Sequence, residues 1–166
     1  MENKPLTIVT GFVGISFLLA GFYLLQQRPD NDSLKSLLHL PGAQSLPPGW
    51  QKITVPSTIE WYDTGIDVAA GKSFNIVYMS GSWTNDKNKS NSTDGLGKQG
   101  GERKTMLVPE GYLCQLVGKI GSETFVAANG YSGSSTRGGR LYLAMNDNRG
   151  TYQDNAGLLT VSVEVK

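Results

Sequence analysis

One histidine and one cysteine are all that 166 residues provide, and each scarcity excludes a class of chemistry. A lone Cys114 cannot close an intrachain disulfide. Its setting, Tyr112-Leu113-Cys114-Gln115-Leu116, predicts a small core residue rather than a reactive thiol. His39, the sole histidine, sits in a linker stretch outside the expected globular domain, so no Ser/His/Asp set and no Cys/His metal cluster is recognised. A glycine-rich phosphate loop is missing as well, and the chain is not expected to be an enzyme. An excess of charge is also lacking: 15 basic against 14 acidic residues give a formal net charge of +1. Without a basic stripe, nucleic acid is not an expected partner, and Arg137, Arg140 and Arg149 read as scattered, solvated charges.

What is present falls into three parts: residues 1–25, 26–49 and 50–166. From Leu6 to Leu25 there is no charged residue. At about 1.5 Å per helical residue this run spans about 30 Å, the thickness of a bilayer's hydrocarbon core. A single transmembrane helix acting as an anchor is the expectation. A cleaved signal peptide is the rival, but its apolar region is normally about 7–15 residues and ends in a small-x-small site. Here the run ends Phe22-Tyr23-Leu24-Leu25-Gln26. Residues 26–49 read as a tether, with Leu34, Leu37, Leu38 and Leu40 at helical spacing and Pro41-Gly42 and Pro47-Pro48-Gly49 as breaks.

The segment from Trp50 to Lys166 is long enough for one domain. Apolar residues alternate at Ile66, Val68 and Ala70, at Phe74, Ile76 and Tyr78, at Leu141, Leu143 and Met145, and at Leu159, Val161, Val163 and Val165. That period of two, punctuated by many of the 21 glycines, predicts an all-β sandwich or jelly roll. Asn85 to Gly95 is polar throughout and predicts a long exposed loop. Its Asn88-Lys89-Ser90 and Asn91-Ser92-Thr93 match the glycosylation acceptor pattern.

The strongest lead to function is Met145-Asn146-Asp147-Asn148-Arg149-Gly150-Thr151-Tyr152-Gln153-Asp154-Asn155-Ala156-Gly157. Asp147, Asp154 and Asn155 can each aim an oxygen at one point, and a hard cation such as calcium takes about six to eight oxygen ligands. The same residue types also make plain turns, because Asn, Asp and Gly tolerate left-handed backbone and close Asx turns.

This loop resembles the calcium loop of the galactose-binding bacterial lectins of the PA-IL type, in Asn146-Asp147, Gly150-Thr151-Tyr152 and Asp154-Asn155-Ala156-Gly157. Leu116 to Gly121 resembles that family's core strand, and Ala70-Gly71-Lys72 through Ser80-Gly81-Ser82-Trp83 its early strand pair. The resemblance implies a lectin-like β-sandwich and calcium (Ca2+) as cofactor. Asp147 would be the ligand shared by ion and sugar, Thr151 and Asn85 would give backbone carbonyls, and Asp154 and Asn155 would give side-chain oxygens. It places Gln99, Thr105 and Asn148 near the sugar, beside Asp147, Thr151 and Asp154. Two departures stand out. Asp154 replaces the family's usual Asn, and the His and Gln that complete its sugar pocket have no counterpart after Arg103.

Two functions follow. One is a membrane-anchored, calcium-dependent module for a glycan or glycoconjugate. The other is a single-span accessory subunit of a larger membrane protein complex, whose sandwich serves protein contacts. Both imply the lipid bilayer as partner and a single-pass membrane protein with its globular domain outside the cytoplasm.

Overall fold

The computed structural model describes residues 46–89, 92–101 and 103–166. Nine antiparallel strands form two sheets among these residues. They are β1 (Trp50–Pro56), β2 (Tyr62–Val68), β3 (Ser73–Thr84), β4 (Leu96–Lys98), β5 (Leu113–Ile120), β6 (Glu123–Val126), β7 (Gly130–Ser134), β8 (Gly139–Met145) and β9 (Ala156–Val165). The first sheet runs β1-β9-β3-β7. The second runs β2-β8-β5-β4, with β6 also on β5. β6 pairs with Val117 to Ile120, whereas β4 pairs at Leu113 and Gln115.

Alternation explains the core. Ile66 and Val68 of β2, Leu116 and Ile120 of β5, and Leu141, Leu143 and Met145 of β8 meet Phe74 and Ile76 of β3 and Leu159, Val161 and Val163 of β9 in one buried cluster. Every second residue of each strand thus faces the opposite sheet, which is how two half-apolar sheets bury their surface. Phe74, Phe125 and Tyr131 close one side of this core, with ring centroids 4.4–5.5 Å apart. Of the expected inward residues only Ala70 departs: it lies exposed in the turn after β2, where the pleat has ended.

The second sheet also carries a smaller cluster on its other face. Val117 and Ala144 pack there under Leu107, Val108 and Tyr152. These last three come from the two segments that flank β5 and follow β8, so the loops at that end are held by apolar contacts as well as by hydrogen bonds.

The polar stretch after β3 is not a featureless loop. Trp83 and Thr93 exchange backbone hydrogen bonds of 3.0 and 2.8 Å, and Asp86 caps a turn to Asn88 and Lys89. One expectation is corrected: localisation as a single-pass membrane protein finds no support, because no helix long and apolar enough to cross a membrane occurs among the described residues. The expected anchor Leu6 to Leu25 and the tether leucines Leu34 to Leu40, on which the bilayer and membrane-complex partners rested, lie outside the described residues.

Candidate functional site

β8 delivers the site. Its alternation ends at Met145, and the ladder to β5 continues one residue further through Asn146, whose N–H donates to the Gln115 carbonyl at 2.7 Å and whose carbonyl accepts from Cys114 N–H at 2.8 Å. The Asn146 side chain is fully buried and fully used. Its Oδ1 accepts from Val108 N–H at 3.0 Å, while Nδ2 donates to the carbonyls of Val108 and Tyr112 at 3.0 and 3.1 Å. One amide thereby staples the segment 106–112 against the end of β8 and fixes the residue that follows.

That residue is Asp147. It is 4% exposed, and its Oδ1 accepts from Asn148 N–H at 2.7 Å. Burial pushes its carboxyl above the usual range, and the nearby Asp154 carboxylate acts in the same direction. The Asn148 N–H, the Asn155 side chain and the Lys98 charge pull the other way without cancelling the effect. A carboxylate held in this way is costly to keep charged, and a positive ion beside it would lower that cost.

The chain then folds back. Thr151 N–H donates to the Asn148 carbonyl at 3.2 Å, closing a four-residue turn with Gly150 at its third position. Gly150 has φ of 78°, the left-handed value that a type II turn requires there. A single 3-10 turn, Tyr152–Asp154, follows. Tyr152 is buried and its hydroxyl donates to the Met145 carbonyl at 2.8 Å, which pins the returning chain to the end of β8. Burial, reinforced by the Asp147 charge, keeps that phenol protonated.

Asn155 closes the loop at the head of β9. It is 3% exposed; Nδ2 donates to the Ser57 carbonyl at 3.1 Å, and Oδ1 is buried with no hydrogen-bond partner. A buried acceptor left unpaired costs about 1–3 kcal/mol. Asn85 lies across from it by register, since Thr84 of β3 pairs with Ala156 of β9. The two loops are tied by Lys87 N–H to the Asp154 carbonyl at 2.8 Å.

The donor set can be tested against a cation on these observations. A buried carboxylate that is costly to keep charged and the buried Asn155 side chain, whose Oδ1 has no partner, are close enough to interact, with a second carboxylate, Asp154, close enough to repel the first. Among the described residues no three His, Cys, Asp or Glu side chains gather at one point, so two carboxylates with amide and carbonyl oxygens make up the set. Hard oxygen donors of this kind fit calcium better than a soft transition metal.

The other expected residues are distributed unevenly. Thr105 Oγ1 lies 2.6 Å from Asn148 Oδ1, and Arg149 N–H donates to the Thr105 carbonyl at 3.0 Å, so Thr105 and Asn148 do border Asp147. The Thr151 hydroxyl is committed to the Asn148 carbonyl at 2.9 Å, which leaves its carbonyl as the group to offer. Gln99 is exposed just after β4 and makes no hydrogen bond to the cluster among the described residues. Four residues have a positioning role that the sequence did not disclose: Asn146 and Tyr152 within the loop motif, and Ser57 and Cys114 outside it. Cys114 has φ of 60°, its thiol donates to Asn85 Oδ1 at 3.5 Å, and its carbonyl accepts from Trp83 Nε1 at 2.8 Å.

Two antiparallel sheets packed face to face, with an oxygen-rich loop pair at one end, define a β-sandwich with a candidate binding loop. No family model matches the chain, and no curated protein matches it. Among solved structures it is similar to the EclA N-terminal domain, a PllA-like lectin, with a TM-score of 0.58 and 25% sequence identity over 72% of this chain and 100% of that one. The expected PA-IL-like sandwich is borne out at the level of the fold.

Proposed function

We propose that this domain binds glycans, without turning them over, through a calcium ion held at the loop 146–157. The observation that carries this reading is the unpartnered, buried Asn155 Oδ1 beside the buried Asp147 carboxylate. The similarity to a PllA-like lectin supports the carbohydrate half of the reading. Asp147, Asp154 and Asn155 would hold the ion with side-chain oxygens, and Thr151 and Asn85 with carbonyls. A bound calcium ion supplies a positive centre that two neighbouring sugar hydroxyls can share.

The chain's own residues would do the rest. Asn148 and Thr105, already hydrogen-bonded to each other, present donors and acceptors beside Asp147. Asp154 differs from an amide in one respect that matters for specificity: a carboxylate accepts hydrogen bonds but cannot donate one. It therefore selects for a hydroxyl that donates toward it, and it adds charge that strengthens cation binding. Gln99 would contribute only if the loop after β4 moves toward the ligand.

A glycan array probed with the full chain tests this. Retention in calcium, release by chelator and loss on Asp147→Asn are expected. An array that stays blank in calcium, or glycan retention indifferent to chelator, would refute the mechanism.

A further inference from the structure

Three basic side chains lie near the site, Lys98, Arg103 and Lys104, and none is ion-paired among the described residues. Lys98 ends β4, half-buried, and its charge is felt at Asp147. Arg103 and Lys104 belong to the 3-10 turn Arg103–Thr105, both exposed. That turn is fixed directly to the site by Thr105 Oγ1 against Asn148 Oδ1 and by the Arg149 N–H to the Thr105 carbonyl. The exposed Arg103 guanidinium carbon sits 4.8 Å from the centre of the Tyr112 ring, a favourable cation–π arrangement.

Neighbouring cations contrast with these. Arg149 is 3.5 Å from Glu60, and Lys89 is 3.0 Å from Asp86. Lys98, Arg103 and Lys104 form no ion pair with a described carboxylate, whereas the two carboxylates of the loop would be neutralised by a bound divalent cation. With the ion in place the two loop carboxylates are taken up by it, and Lys98, Arg103 and Lys104 are the described cations beside the site without a carboxylate partner. A neutral sugar gains only hydrogen bonds from these groups, whereas an anionic one gains charge pairing as well.

We infer that the preferred ligand is an anionic glycan, one whose sugar carries a carboxylate or a sulfate ester, with Arg103 and Lys104 engaging the negative group while the loop 146–157 holds the hydroxyls. This inference rests on the glycan-binding reading above and adds the chemical class of the sugar. Charge pairs at an exposed rim are screened by salt, with a Debye length of about 10 Å at 0.1 M and about 3 Å at 1 M. Anion preference must then be large in dilute buffer and nearly vanish in concentrated salt.

Calorimetric titration of the full chain in excess calcium decides it, with methyl galactoside, methyl galacturonide and methyl galactoside 6-sulfate as probes. The expected result is about tenfold tighter binding of an anionic probe than of the neutral one at low salt, falling to about twofold at 1 M salt. The uronide and sulfate arms tell which anion is read. The double variant Arg103→Gln, Lys104→Gln, at exposed positions that leave the core untouched, should bind all three probes alike. Equal affinity for neutral and anionic probes in the native chain would overturn the inference and leave the glycan reading standing. A preference that survives the double variant would overturn the assignment to these residues. The absence of binding to all three probes by a chain that the glycan array retains would overturn the inference alone, while a blank array would overturn both readings.

Discussion

Asn146 illustrates how much of the site is built by a residue that never touches a ligand. Its side chain satisfies three backbone groups of the segment 106–112, and no other described side chain replaces it. Asn146→Ala should cost about 2–4 kcal/mol in urea unfolding, since a buried N–H and two carbonyls lose their partner at about 1–3 kcal/mol each, less whatever water recovers. Thr105→Ala, at an exposed contact, should stay within about 0.5 kcal/mol. Asn155 differs. Its Oδ1 has nothing to lose in the absence of a cation, but its Nδ2 holds the buried Ser57 carbonyl, so Asn155→Leu should cost about 1–3 kcal/mol in chelator and should also remove the increment that calcium adds; a calcium increment that persists would exclude this oxygen from the ligand set. The sequence disclosed the oxygen donors because Asp and Asn in a loop are conspicuous. It did not disclose the role of Asn146, since a buried structural amide and a surface turn residue are the same letter.

At the scale of elements, alternation was legible and irregularity was not. The apolar residues of β3, β8 and β9 named themselves by a period of two, and the structure buries Phe74, Ile76, Leu141, Leu143, Leu159 and Val161 as that period requires. The short strands carry no such signal: β4 and β7 contain glycine and few apolar residues, and β6 is only four residues long. The register of β3 against β9 is equally silent in the sequence, yet it is what sets Asn85 opposite Asn155. Gly157 guards that register: with φ of 94°, a Cβ there would stand 2.2 Å from the Ser82 carbonyl oxygen. Gly157→Ala should therefore force β9 away from β3 beside the site. An expected loss of at least about 2 kcal/mol in chemical denaturation, together with weakened calcium binding, would show that strand pairing and site geometry are coupled. Unchanged calcium affinity in a folded Gly157→Ala chain would separate them.

The whole molecule joins a core that any all-β sandwich needs to a loop pair that stability alone does not need. The core cluster and the hydrophobic residues packed on it all fall between Ile53 and Val165, so the fragment from residue 46 onward is expected to give a β-type circular dichroism spectrum and one cooperative transition. A mainly helical or unfolded spectrum would contradict that. The fold class was readable because two-residue periodicity and glycine punctuation act over the full domain. The ligand was not, because it depends on side chains from distant segments: Asp147 on the loop after β8, Asn155 at the head of β9 and Thr105 before β5. Burial of Asp147 without a compensating cation is a cost that the folded chain carries, and it gives the account its sharpest test. Thermal unfolding of the full chain and of Asp147→Asn is compared in calcium and in chelator. In chelator Asp147→Asn should melt at or above the native chain, because a buried charge has been removed. In calcium at about 100 times its dissociation constant the native chain should gain about 2.7 kcal/mol and Asp147→Asn should gain nothing. Identical melting of the native chain in calcium and in chelator, or an equal calcium gain in the variant, would contradict a cation site at Asp147.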